Sequence, residues 1–145
     1  AWLSDPSWAL FGIILMAIWK NLGYSMVIYL AGLQDIPQDI YDAAALDGAG
    51  GFRLTRYITV PMMARITAFT LIMSTIRSFQ VFGQVRIMTG GGPTDSTLVA
   101  VYYIYKQAFE SPYRLGYASA AAWVVFLVVG ALAVVQSRFA RRLES

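Results

Sequence analysis

The stretch 116–136 carries no charged side chain, and nothing else in the sequence restricts the fold as strongly. A bilayer core about 30 Å thick is crossed by roughly 20 apolar residues in a helix, and this run meets that length. Two further runs approach it: about 8–33, interrupted by Lys20 and Asn21, and about 62–82, with Arg65 near its start and Arg77 near its end. Backbone amides in lipid must be bonded within their own segment, so spans this far apart are helices. An all-α integral membrane chain with three transmembrane helices is the expected fold.

Composition agrees. Of 145 residues 58% are hydrophobic and 13% charged, against roughly 25% charged in an average soluble domain. A water-soluble domain, disorder, a coiled coil and a polar repeat protein are thereby excluded. The net charge of +3 comes from basic residues scattered along the chain without interleaved aromatics, so no nucleic-acid partner is expected. The absence of Cys and His removes disulfides, thiol nucleophiles, imidazole bases and most zinc sites, and no metal or cofactor is expected. The sequence starts at Ala1, and its first apolar run lacks a basic lead and a small-residue cleavage site, so it is not read as a signal peptide. A piece of a longer polypeptide is the expectation.

Basic residues near the span ends set the orientation. With the loop 34–61 and the tail after Gln136 inside, that side holds Arg53, Arg56, Arg65, Arg138, Arg141 and Arg142, whereas the other has Arg86, Lys106 and Arg114. The loop 83–115 is then outside and the C-terminus cytoplasmic. Trp2, Trp8, Tyr102, Tyr103, Tyr105, Tyr113 and Tyr117 would form an outer aromatic belt.

The inner loop has the signals of a short helix. Pro37 suits a first helical position, Asp39 and Asp42 lie where the helix dipole favours negative charge, the run from Ala43 to Leu46 has high propensity, and Gly48 is a natural stop. After Gly50 and Gly51, the segment 52–57 is expected to add a helical turn or two until Pro61 opens the next span. Ile36, Ile40, Ala43, Ala44 and Asp47 fall near one helical face, a small-residue ridge that can dock in a groove or rest on headgroups. Its acidic polar face favours the groove, because helices on lipid surfaces are usually basic. Outside, 89–97 is a loop with three glycines and a proline, either flexible or tightly turning, and 98–109 is too short to span and suits an interfacial or re-entrant helix.

Neither glycine cluster is a nucleotide site: Asp47-Gly48-Ala49-Gly50-Gly51 lacks a preceding strand and a P-loop lysine, and Gly90-Gly91-Gly92 faces outward. A catalytic dyad of Asp42 and Asp47 fails because five residues along a helix separate their faces. Without His, Cys or a buried carboxylate pair, an enzyme is not expected. Inside the spans Lys20, Asn21 and Arg77 stand out, since a charge near the bilayer centre costs at least roughly 2.5 to 3.5 kcal/mol. Lys20 lies about 18 Å from either end of its helix, too far to reach the headgroups easily, while Arg77 can snorkel. Gly23, Gly32 and Gly83 permit close helix approach or ligand space.

The inner loop also carries a signature. Asp42-Ala43-Ala44, three residues, Gly48, nine residues and Ile58-Thr59-Val60-Pro61 resemble the EAA motif of the permease subunits of ATP-binding-cassette importers, E-A-A, three, G, nine, I-x-L-P. Asp42 stands for the glutamate and Val60 for the leucine. Leu22-Gly23-Tyr24, Leu33-Gln34-Asp35-Ile36-Pro37, Thr89-Gly90-Gly91-Gly92-Pro93, Tyr105-Lys106-Gln107-Ala108-Phe109 and Gly116-Tyr117-Ala118-Ser119-Ala120 extend the resemblance to the maltose-type, sugar-importing branch over nearly the whole chain.

The resemblance implies the C-terminal half of a transmembrane domain of a prokaryotic inner-membrane importer, with residues 1–145 one partial domain. The loop helix would be a coupling helix, with Asp42, Ala43, Ala44, Asp47, Gly48, Ile58 and Pro61 in the element that engages an ATPase subunit. Its partners would be ATPase subunits, a second permease subunit, an extracytoplasmic substrate-binding protein and the lipid bilayer. Alternating access would be driven by nucleotide-dependent closure of the ATPases. Positions resembling the substrate path are Trp19, Gly23, Met26, Phe79, Gln80 and Gly83. The cargo implied is carbohydrate; polyol, glycerol phosphate or another solute is the alternative, and an ion-coupled transporter the more distant one, since every Asp and Glu falls in a loop or tail.

Overall fold

A computed structural model describes residues 2–110 and 112–143, with side chains to Ala140; Arg141 and Arg142, counted for the inner flank, have side chains outside the described ones. All regular structure among these residues is helical. A 3-10 turn at Trp2–Ser4 leads into α1 (Pro6–Gln34), followed by α2 (Gln38–Leu46), α3 (Gly51–Leu54), a π-helical turn at Thr55–Thr59, α4 (Val60–Met62), α5 (Ala64–Phe79), α6 (Gly83–Met88), α7 (Ala100–Phe109) and α8 (Leu115–Leu143).

Among the described residues two helices are long and apolar enough to cross a membrane, Pro6–Gln34 and Leu115–Ala140. The 29 residues of α1 rise about 43 Å, more than the hydrocarbon core needs. Its start is fixed chemically: the Asp5 carboxylate accepts from Ser7 N–H at 2.8 Å, and Pro6, with no N–H to satisfy, occupies the first turn.

The middle span expected at 62–82 is broken. α5 has 16 residues, about 24 Å, and joins Gly51–Met62 at a bend of 58°. Proline has no N–H for Tyr57 C=O, and its ring crowds that carbonyl; the π turn precedes it and the helix yields at Met63, whose ψ is −4°. Pro61 therefore lies in α4 ahead of the bend rather than at the head of α5. Pro37 likewise stands one place before the expected first helical position, as the N-cap of α2.

α1 and α5 run antiparallel in contact. Near one end of α1, a Cβ on Gly32 would run into Ile66 Cδ1 and stand 3.2 Å from Met63 Cε. Near the other end, Ile13 is buried with Val85 of α6 and Tyr102 of α7, packed by Val81, Phe82, Leu98 and Tyr105. The expected belt is thus divided. Tyr102 is core, 5% exposed, and stacks with Tyr105, whereas Trp2, Trp8, Tyr113 and Tyr117 are exposed. α8 packs on α5 and α7, and Gln136 Nε2 donates to Thr75 Oγ1 at 2.8 Å across the α8–α5 contact. Two hydroxyls on α5 turn back onto their own helix, Thr67 to Met63 C=O and Thr75 to Leu71 C=O, each at 2.9 Å, which satisfies them without water.

The 89–97 segment turns tightly rather than loosely. Thr97, 1% exposed, donates to Gly92 C=O at 2.8 Å and shares a 2.7 Å contact with the Thr89 hydroxyl. Gly90 and Gly91 have φ of 58° and 88°, and Asp95 pairs with Lys106 of α7 at 3.6 Å.

Candidate functional site: a groove along α1 and an exposed short helix

Between α1 and the C-terminal part of α5 lies a groove of about 1230 Å³. From α1 it is lined by Lys20, Asn21, Gly23, Ser25, Met26 and Tyr29 among apolar neighbours; from α5, the turn beyond and the start of α6 by Ser74, Arg77, Ser78, Gln80, Val81 and Gln84. Along α1 the lining runs from Leu10 to Leu33, and α5 ends beside it. Gln80 caps the helix, with its N–H on Ile76 and Arg77 C=O, and the chain then turns into α6.

Of the six path residues read from sequence, the groove brings together Gly23, Met26 and Gln80; Trp19, Phe79 and Gly83 are not in its lining. Trp19 is 82% exposed and points away from the chain's own helices. A Cβ at Gly23 would meet nothing within 4 Å, so no helix among the described residues packs on that glycine. Asn21 is satisfied within α1, donating to Ala17 C=O at 2.8 Å. Arg77 does not snorkel away: its guanidinium carbon lies 3.9 Å from the centroid of the Tyr24 ring on α1, a cation–π contact that ties α5 to α1. Sequence reasoning missed Ser25, Ser78 and Gln84. Helical spacing from Asn21 through Ser25 to Tyr29 could have found the first, because i+4 steps share a face; the others depend on where α5 ends.

The second element is α2. Its exit is a Schellman turn: Gly48 N–H bonds to Ala45 C=O at 3.0 Å and Ala49 N–H to Ala44 C=O at 2.9 Å, with Gly48 at φ 74°. The small-residue ridge is split by the fold. Ile36 and Ala44 are buried within the chain, whereas Asp42, Ala43 and Asp47 are exposed, beside Leu46 at 90% and Phe52 at 82% exposure. Tyr41 and Thr59 hydroxyls meet at 3.3 Å, linking α2 to the π turn, where Ile58 is half-buried and Pro61 follows exposed.

Long apolar helices that bear charge only where a groove or an end receives it define a multi-pass, all-helical membrane protein. Residues 1–145 match the family described as binding-protein-dependent transport system inner membrane component, and the chain belongs to that family. It is 38% identical over 139 residues to a probable ABC transporter permease protein, YurN, of Bacillus subtilis (strain 168), covering 96% of this chain and 47% of the relative. It is 39% identical over 142 residues to the lactose transport system permease protein LacF of Rhizobium radiobacter, covering 97% and 48%. Against the sn-glycerol-3-phosphate transport system permease protein UgpA of Brucella abortus biovar 1 (strain 9-941) the identity is 36% over 145 residues, covering 98% and 49%. The chain spans about half the length of these relatives.

Proposed function

We propose that this chain is part of the permease of an ATP-driven importer of carbohydrates or polyol derivatives, in the inner membrane of a prokaryotic cell, with hydrolysis on separate ATPase subunits and the chain itself non-catalytic. The reading rests on family membership and on relatives named for lactose, sulfoquinovosyl glycerol and sn-glycerol-3-phosphate transport. The observation that carries it is the construction of α2. A short helix presents Asp42, Ala43, Leu46 and Asp47 outward while its inner face is anchored on its own chain, so a push on the exposed face moves helix and π turn together.

In this reading α2 is the coupling helix in the loop 34–61, and Gly48, Ile58 and Pro61 shape its exit toward α5. The bent unit through α5 is the third span: along α1 the contacts pass from Gly32 to Ile13, about 28 Å at 1.5 Å per residue, so the chain from Met63 to Val85 travels most of the membrane's thickness. The C-terminus is cytoplasmic. The 83–115 segment faces an extracytoplasmic substrate-binding protein, and a second permease subunit completes the path begun by the groove. Gly23, Met26 and Gln80 border the solute; Trp19, Phe79 and Gly83 are near the path, on surfaces a second subunit would cover. An ion-coupled mechanism has less support, because no Asp or Glu lines the groove and such coupling draws on intramembrane carboxylates.

The test is a cross-link from Leu46→Cys in the assembled complex. An adduct with an ATPase subunit is expected. Adducts confined to lipid or to this chain would defeat the proposal.

A further inference from the structure

The groove is lined by two cations, Lys20 and Arg77, and by no acidic residue. Neither cation has a carboxylate partner among the described residues. Arg77 is engaged by the Tyr24 ring and sits in the last turn of α5, where the helix end carries roughly half a negative charge. Lys20 has neither a carboxylate nor an aromatic ring beside it among the described residues. The remaining polar lining, which includes Ser25, Gln80 and Gln84, is neutral and suited to hydroxyl groups.

We infer that the groove selects anionic polyol derivatives, such as sugar or glycerol phosphates, carboxylates or sulfonates, with Lys20 and Arg77 as the residues that read the negative charge. This inference rests on the importer reading for its physiological meaning, while the charge preference itself is a property of the groove. Low-dielectric walls of one sign concentrate counter-ions by roughly 10-fold or more. A neutral sugar would leave Lys20 unanswered, whereas an anionic head beside a hydroxylated body uses the cations and the neutral lining together.

The chain has no native cysteine, so a single Ser78→Cys reporter in the groove is read without background from it. In membrane vesicles holding the complete transporter without nucleotide, the anionic sulfonatoethyl methanethiosulfonate should label Cys faster than the cationic trimethylammonium reagent. The expected ratio is about tenfold, relative to the ratio for a free thiol. Lys20→Gln or Arg77→Gln should each reduce it severalfold, and sn-glycerol 3-phosphate should slow labelling at concentrations where glycerol does not. Equal or cation-favouring rates, a reporter inert to both reagents, or no difference between the two solutes would overturn the inference. Ser25→Cys on the facing helix serves as a second reporter if Ser78→Cys does not assemble. A change of labelling rate with ATP and vanadate reports the importer reading separately, so either can fail while the other stands.

Discussion

At the scale of single residues, three glycines do different work, and the structure separates them. Gly48 holds φ at 74°, a conformation costing a side-chain-bearing residue roughly 1–2 kcal/mol and least tolerable for a β-branched one. Gly48→Val should therefore loosen the exit of α2, abolishing most uptake while ATP hydrolysis and membrane insertion persist; Gly48→Asn, which tolerates that region, should retain uptake. Normal transport by the valine variant, measured beside ATPase rate in proteoliposomes, would remove Gly48 from coupling. Gly32 and Gly91 both lack room, but their neighbours differ. A Cβ on Gly32 meets the ends of the flexible Ile66 and Met63 side chains, whereas on Gly91, at φ 88°, it meets the Tyr102 ring at 2.9 Å. Tyr102 is locked in the core, so Gly91→Ala combines strain with overpacking and should destabilise by about 2–4 kcal/mol, and Gly32→Ala by about 1 kcal/mol. Thermal unfolding of the purified complex ranks the two; the reverse order would mean the tight turn gives way more easily than the helix crossing.

Among the elements, what could be read from sequence divides along a physical line. The existence of α1, α2 and α8 follows from apolar run length and from Gly48 at one stop, all local causes, whereas the Asp5–Pro6 start of α1 went unread. The break at Met63 was half visible: Pro61 announces a disturbance, but whether it opens a helix or bends one depends on the π turn ahead of it and on Gly32 packing against Met63 and Ile66 behind it. The groove was legible on its α1 wall and obscure on the other, since Tyr24 and Arg77 stand 53 positions apart in sequence and no periodicity pairs them. The α8–α5 contact was likewise hidden. Its polar bond among the described residues, Gln136 to Thr75, sits where a hydrogen bond averages about 0.6 kcal/mol, and among them Gln136 Oε1 is buried without a partner. A double-mutant cycle with Gln136→Leu and Thr75→Val should thus give a coupling near 0.6 kcal/mol, with Gln136→Leu alone changing stability by less than about 1 kcal/mol. A coupling above about 2 kcal/mol would make this pair a structural pin of the bundle rather than a minor contact.

For the whole molecule the decisive quantity is the number of crossings. α1 and α8 each qualify alone, and the unit of α3 to α5 qualifies only across its 58° bend, so a re-entrant hairpin and a bent span are the two geometries to separate. The flanking contacts favour the span. α5 begins beside Gly32 and the chain reaches Ile13 by Val85, with Arg77 on Tyr24 between them, an ordered progression along α1 rather than a return. Charge placement agrees once the tail is counted: Arg53, Arg56 and Arg65 with Arg138, Arg141 and Arg142 outnumber Arg86, Lys106 and Arg114 of the 83–115 segment by six to three, the sense of the positive-inside bias. Cysteines at Leu46 and Thr94, both exposed, report the answer in sealed vesicles of known orientation. An impermeant thiol reagent should label Leu46→Cys only from the cytoplasmic side and Thr94→Cys only from the opposite side. Labelling of both from one side would make α3 to α5 re-entrant, place Thr89 to Thr97 beside α2, and leave the groove open toward one face of the membrane instead of between two, a geometry in which alternating access could not use it.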